Sequence, residues 1–154
     1  MKILSILLAV LLVAGCGVRA SGTIPGGPAP NVSAVGIALF FVSNGKVSLV
    51  LRPGPEPPLP EILNTLGAGP NAFERAAGFS TAIPAKAAPI TVMMDESSVD
   101  VHISMAPSAL SELAVEQLAC TALANQPTVA PGGEVRLAGD GQRIDISCPQ
   151  ISLR

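Results

Sequence analysis

The architecture of this chain is dictated first by the Asn44-Gly45 dipeptide, which stands between two apolar segments. Both residues tolerate the positive φ angles of a type I′ turn, so the dipeptide is a strong signal for a two-residue β-hairpin. The preceding segment, 35–42, is apolar at both parities, and the following segment, 47–52, carries apolar residues at alternate positions. We therefore expect two paired strands joined at Asn44.

Two further hairpins are predicted by the same alternation of apolar and polar residues. In each of them a turn separates two segments whose apolar side chains face one side of a sheet. The strand, turn and strand segments are 90–94, 95–98 and 99–103 for one hairpin, and 135–137, 140–141 and 144–148 for the other.

Two helices are predicted by apolar residues that recur every three or four positions. The first covers 59–66, with Pro60 in its first turn and Gly67 as its stop. The second and longest covers 108–125. Its apolar stripe consists of Leu110, Leu113, Ala114, Leu118 and Thr121.

A third, short helix is predicted after Asn71, because Glu74 follows three residues later and the pair resembles a capping box. Its apolar side is expected to hold Phe73, and Gly78 is expected to end it. Six short strands and three helices favour the α+β class. We expect a two-layer domain with helices packed on a largely antiparallel sheet.

The first sixteen residues combine Lys2 with an apolar run, 3–13, that is too short for a membrane span of roughly 20 residues. This run ends at Cys16 in a motif that resembles the lipobox of bacterial lipoproteins. The expected signal peptidase recognition residues are Val13, Ala14 and Gly15. The resemblance implies cleavage before Cys16, acylation of this cysteine and anchoring at the extracytoplasmic face of the cell membrane. An ordinary signal peptide or an uncleaved anchor is the alternative.

The chain therefore divides into a signal peptide at 1–15, a lipidated cysteine with a disordered tether at 16–34, and one domain at 35–154. Seven glycines and prolines between Gly17 and Ala34 predict the tether. Without the signal, 139 residues remain, which is the length of a single domain.

Three cysteines occur in the chain, and lipidation of Cys16 leaves Cys120 and Cys148 as an even pair. In an exported protein we expect these two to form a disulfide. Two buried free thiols are the alternative.

Composition argues against a nucleic-acid partner. Without Lys2, 8 basic residues stand against 11 acidic ones, a net charge of −3, and the chain has no Trp or Tyr to stack on bases.

No catalytic site, cofactor or metal is expected. Asp100, His102 and Ser104 share one strand face, but successive Cβ atoms there are about 7 Å apart, too far for an ordered triad. Asp95 and Glu96 lack the regular ligand spacing of calcium loops. We interpret these residues as a solvent-facing polar stripe and a charged turn.

Residues 66–84 read LGAGPNAFERAAGFSTAIP. This segment resembles the core signature of the GerMN domain, a module of GerM-type spore-germination lipoproteins and of related actinobacterial lipoproteins. The matching positions are Gly69, Pro70, Glu74, Gly78, Thr81, Ile83 and Pro84. These residues are expected to act structurally, as caps, turn glycines and fixed chain directions.

The two resemblances together imply a lipid-anchored interaction module, not an enzyme, that serves a cell-envelope, cell-wall or sporulation assembly. Its partners would be membrane lipid through acylated Cys16 and an unidentified envelope protein. Exposed sheet edges leave a homo-oligomer open. A carrier of a small lipid or cell-wall ligand is the alternative, and a large apolar cavity would favour it.

Overall fold

The hairpin at Asn44 forms as predicted. In a computed structural model of the protein, which describes residues 36–94, 98–126 and 134–149, β1 (Gly36–Ser43) pairs antiparallel with β2 (Lys46–Pro53). Asn44 and Gly45 have φ angles of 51° and 73°, as a type I′ turn requires. The predicted signal peptide and tether, 1–34, lie outside the described residues.

The remaining strands form a second, mixed sheet in the order β3-β4-β5-β6. The two predicted hairpins supply its antiparallel pairs, and β4 pairs with β5 in parallel. Most of the first turn, 95–97, lies outside the described residues, whereas Asp140 and Gly141 have φ angles of 46° and 74° in the second. The strands are β3 (Thr91–Met94), β4 (Ser98–His102), β5 (Glu134–Gly139) and β6 (Gln142–Ile146).

Three α-helices occur in the described ranges: α1 (Leu59–Ala68), α2 (Ala72–Ala76) and α3 (Glu112–Ala124). The predicted stop of α1 at Gly67 is wrong, because the helix continues to Ala68 and its cap is Gly69. Gly69 has a φ angle of 93°, which favours glycine, and its N–H bonds to the Leu66 carbonyl.

The predicted start of α3 at Ser108 is also wrong. A 3-10 turn, Pro107–Ala109, occupies this part of the chain, and α3 begins after Ser111. The Ser111 hydroxyl accepts a hydrogen bond from the Ala114 N–H at 3.3 Å, which makes Ser111 the N-cap.

The predicted apolar side of α2 is a further error. Phe73 is 88% exposed, and Glu74 is the residue that this helix buries. A helix of five residues buries little of its surface, and here the buried position belongs to the capping box.

The fold class is α+β, as predicted. The main apolar core contains side chains from α1, α3, β1, β4 and β5, including Leu39, Leu63, Val101, Leu118 and Leu137. A second cluster of buried side chains, which we call the disulfide cluster, consists of Phe40, Val47, Cys120 and Cys148. No helix in the described part of the chain is long and apolar enough to cross a membrane.

Candidate functional site

The residues predicted for export and anchoring are not among those that the structure describes. Val13, Ala14, Gly15 and Cys16 lie outside the described residues, as do Asp95 and Glu96 of the predicted charged turn. The candidate site is therefore built from the domain alone.

Cys120 and Cys148 form a disulfide in the structure, with 4.7 Å between their Cα atoms. Cys120 lies on α3 and Cys148 follows β6, and both side chains are buried. The bond ties the long helix to the mixed sheet and contributes its sulfur atoms to the disulfide cluster. Its position is that of a structural bond.

Glu74 of the signature segment is held by Asn71 and by Arg52 of β2. The Asn71 side chain accepts from the Glu74 N–H at 3.0 Å, and Glu74 Oε2 accepts from the Asn71 N–H at 2.7 Å. Arg52 Nε and Nη2 donate to the two carboxylate oxygens at 2.8 and 2.6 Å. The guanidinium also lies 5.6 Å from the centroid of the Phe41 ring, within range of a cation–π contact.

The Arg52 hydrogen bonds hold the pKa of Glu74 below its ordinary value, although partial burial acts in the opposite direction. The same hydrogen bonds raise the pKa of Arg52. Both groups are therefore charged at neutral pH, and the pair fastens α2 to the hairpin. Both carboxylate oxygens of Glu74 accept hydrogen bonds in this arrangement.

The other signature residues shape the backbone. A Cβ on Gly69 would lie 3.3 Å from Thr81 Cγ2, and Gly78 has a φ angle of 88°. Thr81 Oγ1 accepts from the Ile83 N–H, Pro84 precedes a 3-10 turn at Ala85–Ala87, and the Pro70 carbonyl accepts from Arg75 Nη1. Each of these contacts has a structural explanation.

Three buried polar side chains on α3 and at its C-cap, Asn125, were not predicted as a group. Gln117, Thr121 and Asn125 recur every four residues and so lie on one face of the helix. Asn125 Oδ1 accepts from the Ala38 N–H at 3.0 Å and its Nδ2 donates to the Ala38 carbonyl at 2.8 Å. We call this face the polar ladder of α3.

The other two side chains of the polar ladder, Thr121 and Gln117, form hydrogen bonds with the backbone of Phe40 in β1. Thr121 Oγ1 accepts from the Phe40 N–H at 3.1 Å, and Gln117 Nε2 donates to the Phe40 carbonyl at 2.8 Å. Gln117 Oε1 also accepts from the Ala82 N–H at 2.8 Å. The helix thus bonds the edge of β1 as a neighbouring strand would. Polar residues four apart on a helix otherwise rich in alanine and leucine were the signal for it.

The mixed sheet presents an outer face that carries both signs of charge. Two rows of residues run across β4, β5 and β6 on this face. One row is Asp100, Arg136 and Asp145, and the other is His102, Ala138 and Arg143. Arg136 Nη1 lies 3.7 Å from Asp100 Oδ1, and Arg136 Nε lies 3.8 Å from Asp145 Oδ1. We call Asp100, His102, Arg136, Arg143 and Asp145 the charged sheet face.

The predicted polar stripe lies partly on this face and forms no triad. Asp100 lies opposite Arg136, and the Ser104 hydroxyl donates to the Pro89 carbonyl at 3.4 Å. His102 borders an open depression of about 640 Å³ with Asp140, Gln142 and Arg143 among its lining residues. In the described ranges no three His, Cys, Asp or Glu side chains converge to hold a metal ion.

An apolar pocket of about 180 Å³ lies beside α1. Its lining includes Asn64, Ile83, Pro84 and Ile90. Small-molecule sites ordinarily have about 300 to 1,000 Å³, so this pocket is small for a lipid or wall fragment.

No protein-family model, curated protein or solved structure matches this chain. The likeness to the GerMN signature therefore rests on residues 66–84 themselves.

Proposed function

We propose that the protein is a lipoprotein, anchored at the extracytoplasmic face of the membrane through Cys16, whose domain acts by binding an envelope protein. It serves as an accessory subunit of a cell-envelope, cell-wall or sporulation assembly. The lipobox at 13–16 supports the anchor, and the GerMN-like signature at 66–84 supports the kind of assembly.

The charged sheet face carries this proposal. One face of the mixed sheet covers the core, where Val99, Val101, Val135 and Leu137 are fully buried. The opposite face leaves Asp145 63% exposed. Neighbouring positive and negative side chains on an open sheet favour a protein partner with complementary charges, because such patterns guide encounter and fix orientation.

The carrier alternative receives less support. The main core is filled by side chains at 0–5% exposure, and the apolar pocket beside α1 has only about 180 Å³. A ligand of lipid size needs more space than this.

The test is affinity purification from membranes, with mass spectrometry of what co-purifies. Wild type is compared with Cys16→Ala and with the face variant Arg143→Glu/Asp145→Lys. A matched control, Lys86→Glu/Glu61→Lys, reverses the same two charge signs at exposed positions elsewhere.

We expect a stoichiometric envelope protein with wild type and with the control variant, and its loss with the face variant and with Cys16→Ala. Equal recovery with the face variant would overturn the assignment of the surface. A lipid or glycan that co-purifies without any protein, and survives loss of the anchor, would favour the carrier.

A further inference from the structure

We propose that the depression between His102 and Arg143 is a carboxylate-binding site that takes an Asp or Glu side chain of the partner protein. This inference rests on the proposed function for the kind of partner, and it adds the chemical group that the charged sheet face recognises. Three features support it: the register of three strands, the small side chain at the bottom of the depression, and the hydrogen-bond donors of Arg143.

The register of the sheet places two hydrogen-bonding side chains on either side of a small one. His102 on β4 is in register with Ala138 on β5, and Ala138 is in register with Arg143 on β6. Neighbouring strands lie about 4.8 Å apart, so the Cα atoms of His102 and Arg143 are about 9.5 Å apart. One carboxylate with a hydrogen bond of about 2.8 Å on each side fits between side chains at this separation.

Ala138 lies at the bottom of the depression. All three residues of this row line its volume of about 640 Å³. The side chain of Ala138 ends at Cβ, whereas the side chains of His102 and Arg143 extend beyond it on both sides. A carboxylate above Ala138 can therefore reach donors on two strands without displacing a side chain of the protein.

The donors of this row are not used by acidic side chains of the domain. Among the described residues, neither the Arg143 guanidinium nor the His102 imidazole makes a hydrogen bond or an ion pair. Asp145 follows Arg143 on the same strand face, but its carboxylate lies 3.8 Å from Arg136 Nε. A guanidinium can bind a carboxylate through two parallel hydrogen bonds, and imidazole has an N–H donor in both its neutral and its charged form.

The neighbouring row shows the same arrangement with the charges reversed. There the cation Arg136 lies between the carboxylates of Asp100 and Asp145. In the row of Ala138 the donor side chains are on the outside, and the centre has no carboxylate. An acidic side chain of a partner would complete this row, because opposite charges on neighbouring strands attract each other.

Asp140 favours a ligand with a single negative charge. Its exposed side chain belongs to the β5–β6 turn and lines the same depression. A like charge at this position repels an anion, and the repulsion grows with the charge of the ligand. A carboxylate carries one negative charge, whereas a phosphate monoester carries about two at neutral pH. The site is therefore better suited to an Asp or Glu side chain than to a phosphate group.

The test is an NMR titration of the full chain in mild detergent with the peptide acetyl-Gly-Glu-Gly-amide at constant ionic strength. The only charge of this peptide is its Glu carboxylate. Signals of the His102 ring and of the Ala138 and Arg143 backbone amides report binding. The peptide acetyl-Gly-Gln-Gly-amide is the matched uncharged control, and inorganic phosphate tests the other oxyanion.

Four variants test the site at separate positions. Arg143→Gln removes the guanidinium, and Ala138→Glu places a carboxylate of the chain itself between the donors. Asp140→Asn removes the like charge beside the site. Lys86→Gln removes an exposed cation elsewhere in the domain and is the matched control. Circular dichroism checks that each variant is folded, and Arg143→Gln, at an exposed position, keeps the test valid if Ala138→Glu is unstable.

We expect the affinity for the Glu peptide to fall at least about fivefold in Arg143→Gln, because the two-bonded contact is lost. Ala138→Glu should abolish binding, since its own carboxylate occupies the donors. Asp140→Asn should bind about twofold more tightly because the repulsion is removed. Lys86→Gln should match wild type, and the Gln peptide should give no saturable shift.

Three results of the titration would overturn the proposal. The first is no saturable shift with the Glu peptide in wild type, or an equal loss of affinity in Lys86→Gln and Arg143→Gln. The second is weaker binding in Asp140→Asn, because it would mean that the site holds a cationic group. The third is tighter binding of inorganic phosphate than of the Glu peptide.

Purification from membranes separates this proposal from the proposed function. An envelope protein that is recovered equally by wild type and by Arg143→Gln would contradict the carboxylate site alone. Binding of the Glu peptide as expected, without recovery of any envelope protein, would support the site and contradict the proposed function.

Discussion

The two sheets of this domain satisfy the backbone hydrogen-bonding groups of their central strands in different ways. The mixed sheet pairs β4 with strands on both sides, and its buried face is apolar. The β1–β2 hairpin has a strand on only one side of β1, and the polar ladder of α3 bonds the other side. Both sheets bury apolar side chains, including Leu39 and Phe41 of β1, but the hairpin depends in addition on a few particular polar side chains.

This difference has a general lesson. A buried backbone group without a partner costs about 1 to 3 kcal/mol, so a strand packed on a helix needs side chains that replace the missing strand. Under the proposed function, the binding surface lies on the sheet that does not need such side chains. In this domain that sheet is the mixed one.

The largest effect is expected from Gln117→Leu, which removes the hydrogen bonds to the Phe40 carbonyl and to the Ala82 N–H. Two buried backbone groups lose their partner, and we expect a loss of about 4 kcal/mol in the free energy of unfolding. Urea denaturation followed by circular dichroism measures it.

The same substitution in the mixed sheet is the control. Gln142 is exposed and accepts one exposed hydrogen bond, from the Ser108 hydroxyl at 2.7 Å, so Gln142→Leu should lower the free energy of unfolding by less than about 1 kcal/mol. Equal losses in the two variants would remove the proposed distinction between the sheets.

The disulfide gives the second effect. Cys120→Ala/Cys148→Ala opens a loop with a sequence separation of 28, and the chain-entropy model predicts a loss of about 3 to 4 kcal/mol. Thermal unfolding with and without reductant measures it. Reductant should lower the stability of wild type and leave that of the double variant unchanged, and insensitivity of wild type would contradict the bond.

The Arg52–Glu74 pair gives a smaller effect. Glu74→Gln keeps the capping box, because Gln also serves at this position, but it removes the charge that Arg52 binds. We expect a loss of about 2 kcal/mol at pH 7. Glu61→Gln, on the exposed side of α1, is the matched control and should cost less than about 0.5 kcal/mol.

The same pair predicts a pH dependence. The pKa of Glu74 is lowered by its hydrogen bonds with Arg52, so its contribution is present above the unfolded-state pKa of about 4.3. This contribution is lost as the pH falls through the lower folded-state pKa, where the carboxylate of the folded protein is protonated. The stability difference between wild type and Glu74→Gln should therefore shrink as the pH falls from about 5 through the lowered folded-state pKa of Glu74. A constant difference would show that the charge is not responsible.

The smallest effect on stability is expected on the charged sheet face. Asp145 is 63% exposed and lies 3.8 Å from Arg136, so Asp145→Asn should change the free energy of unfolding by less than about 0.5 kcal/mol. Under the proposed function the same substitution weakens partner recovery from membranes. A large loss of stability would mean that this face is structural.

Local signals in the sequence were sufficient for much of the fold. The Asn44-Gly45 and Asp140-Gly141 dipeptides predicted two hairpin turns that the structure contains. The spacing of Asn71 and Glu74 predicted the capping box. Each of these signals lies within four residues, and its physics is local. The disulfide between Cys120 and Cys148 was predicted from the even pair that lipidation of Cys16 leaves in an exported protein, and the structure contains it.

The errors came from contacts between distant segments. Gly67 continues α1 because the helix packs there, with Ile90 Cδ1 3.5 Å from the position of an added Cβ, and the glycine that needs a positive φ is Gly69. The Arg52–Glu74 pair has no local signal in the sequence, because the two residues are 22 positions apart. The polar ladder of α3 was missed because helical periodicity ranks only apolar residues.

The most direct test of the proposed interaction function is site-specific photo-crosslinking in intact membranes. Met93, opposite Asp100 in β3, borders the charged sheet face and is 61% exposed, whereas Phe73 on α2 is 88% exposed and distant in sequence. A photoreactive side chain is placed at one position or the other. The account predicts a discrete crosslinked envelope protein from position 93 and none from position 73. A crosslink from position 73 alone, or from neither position, would contradict it.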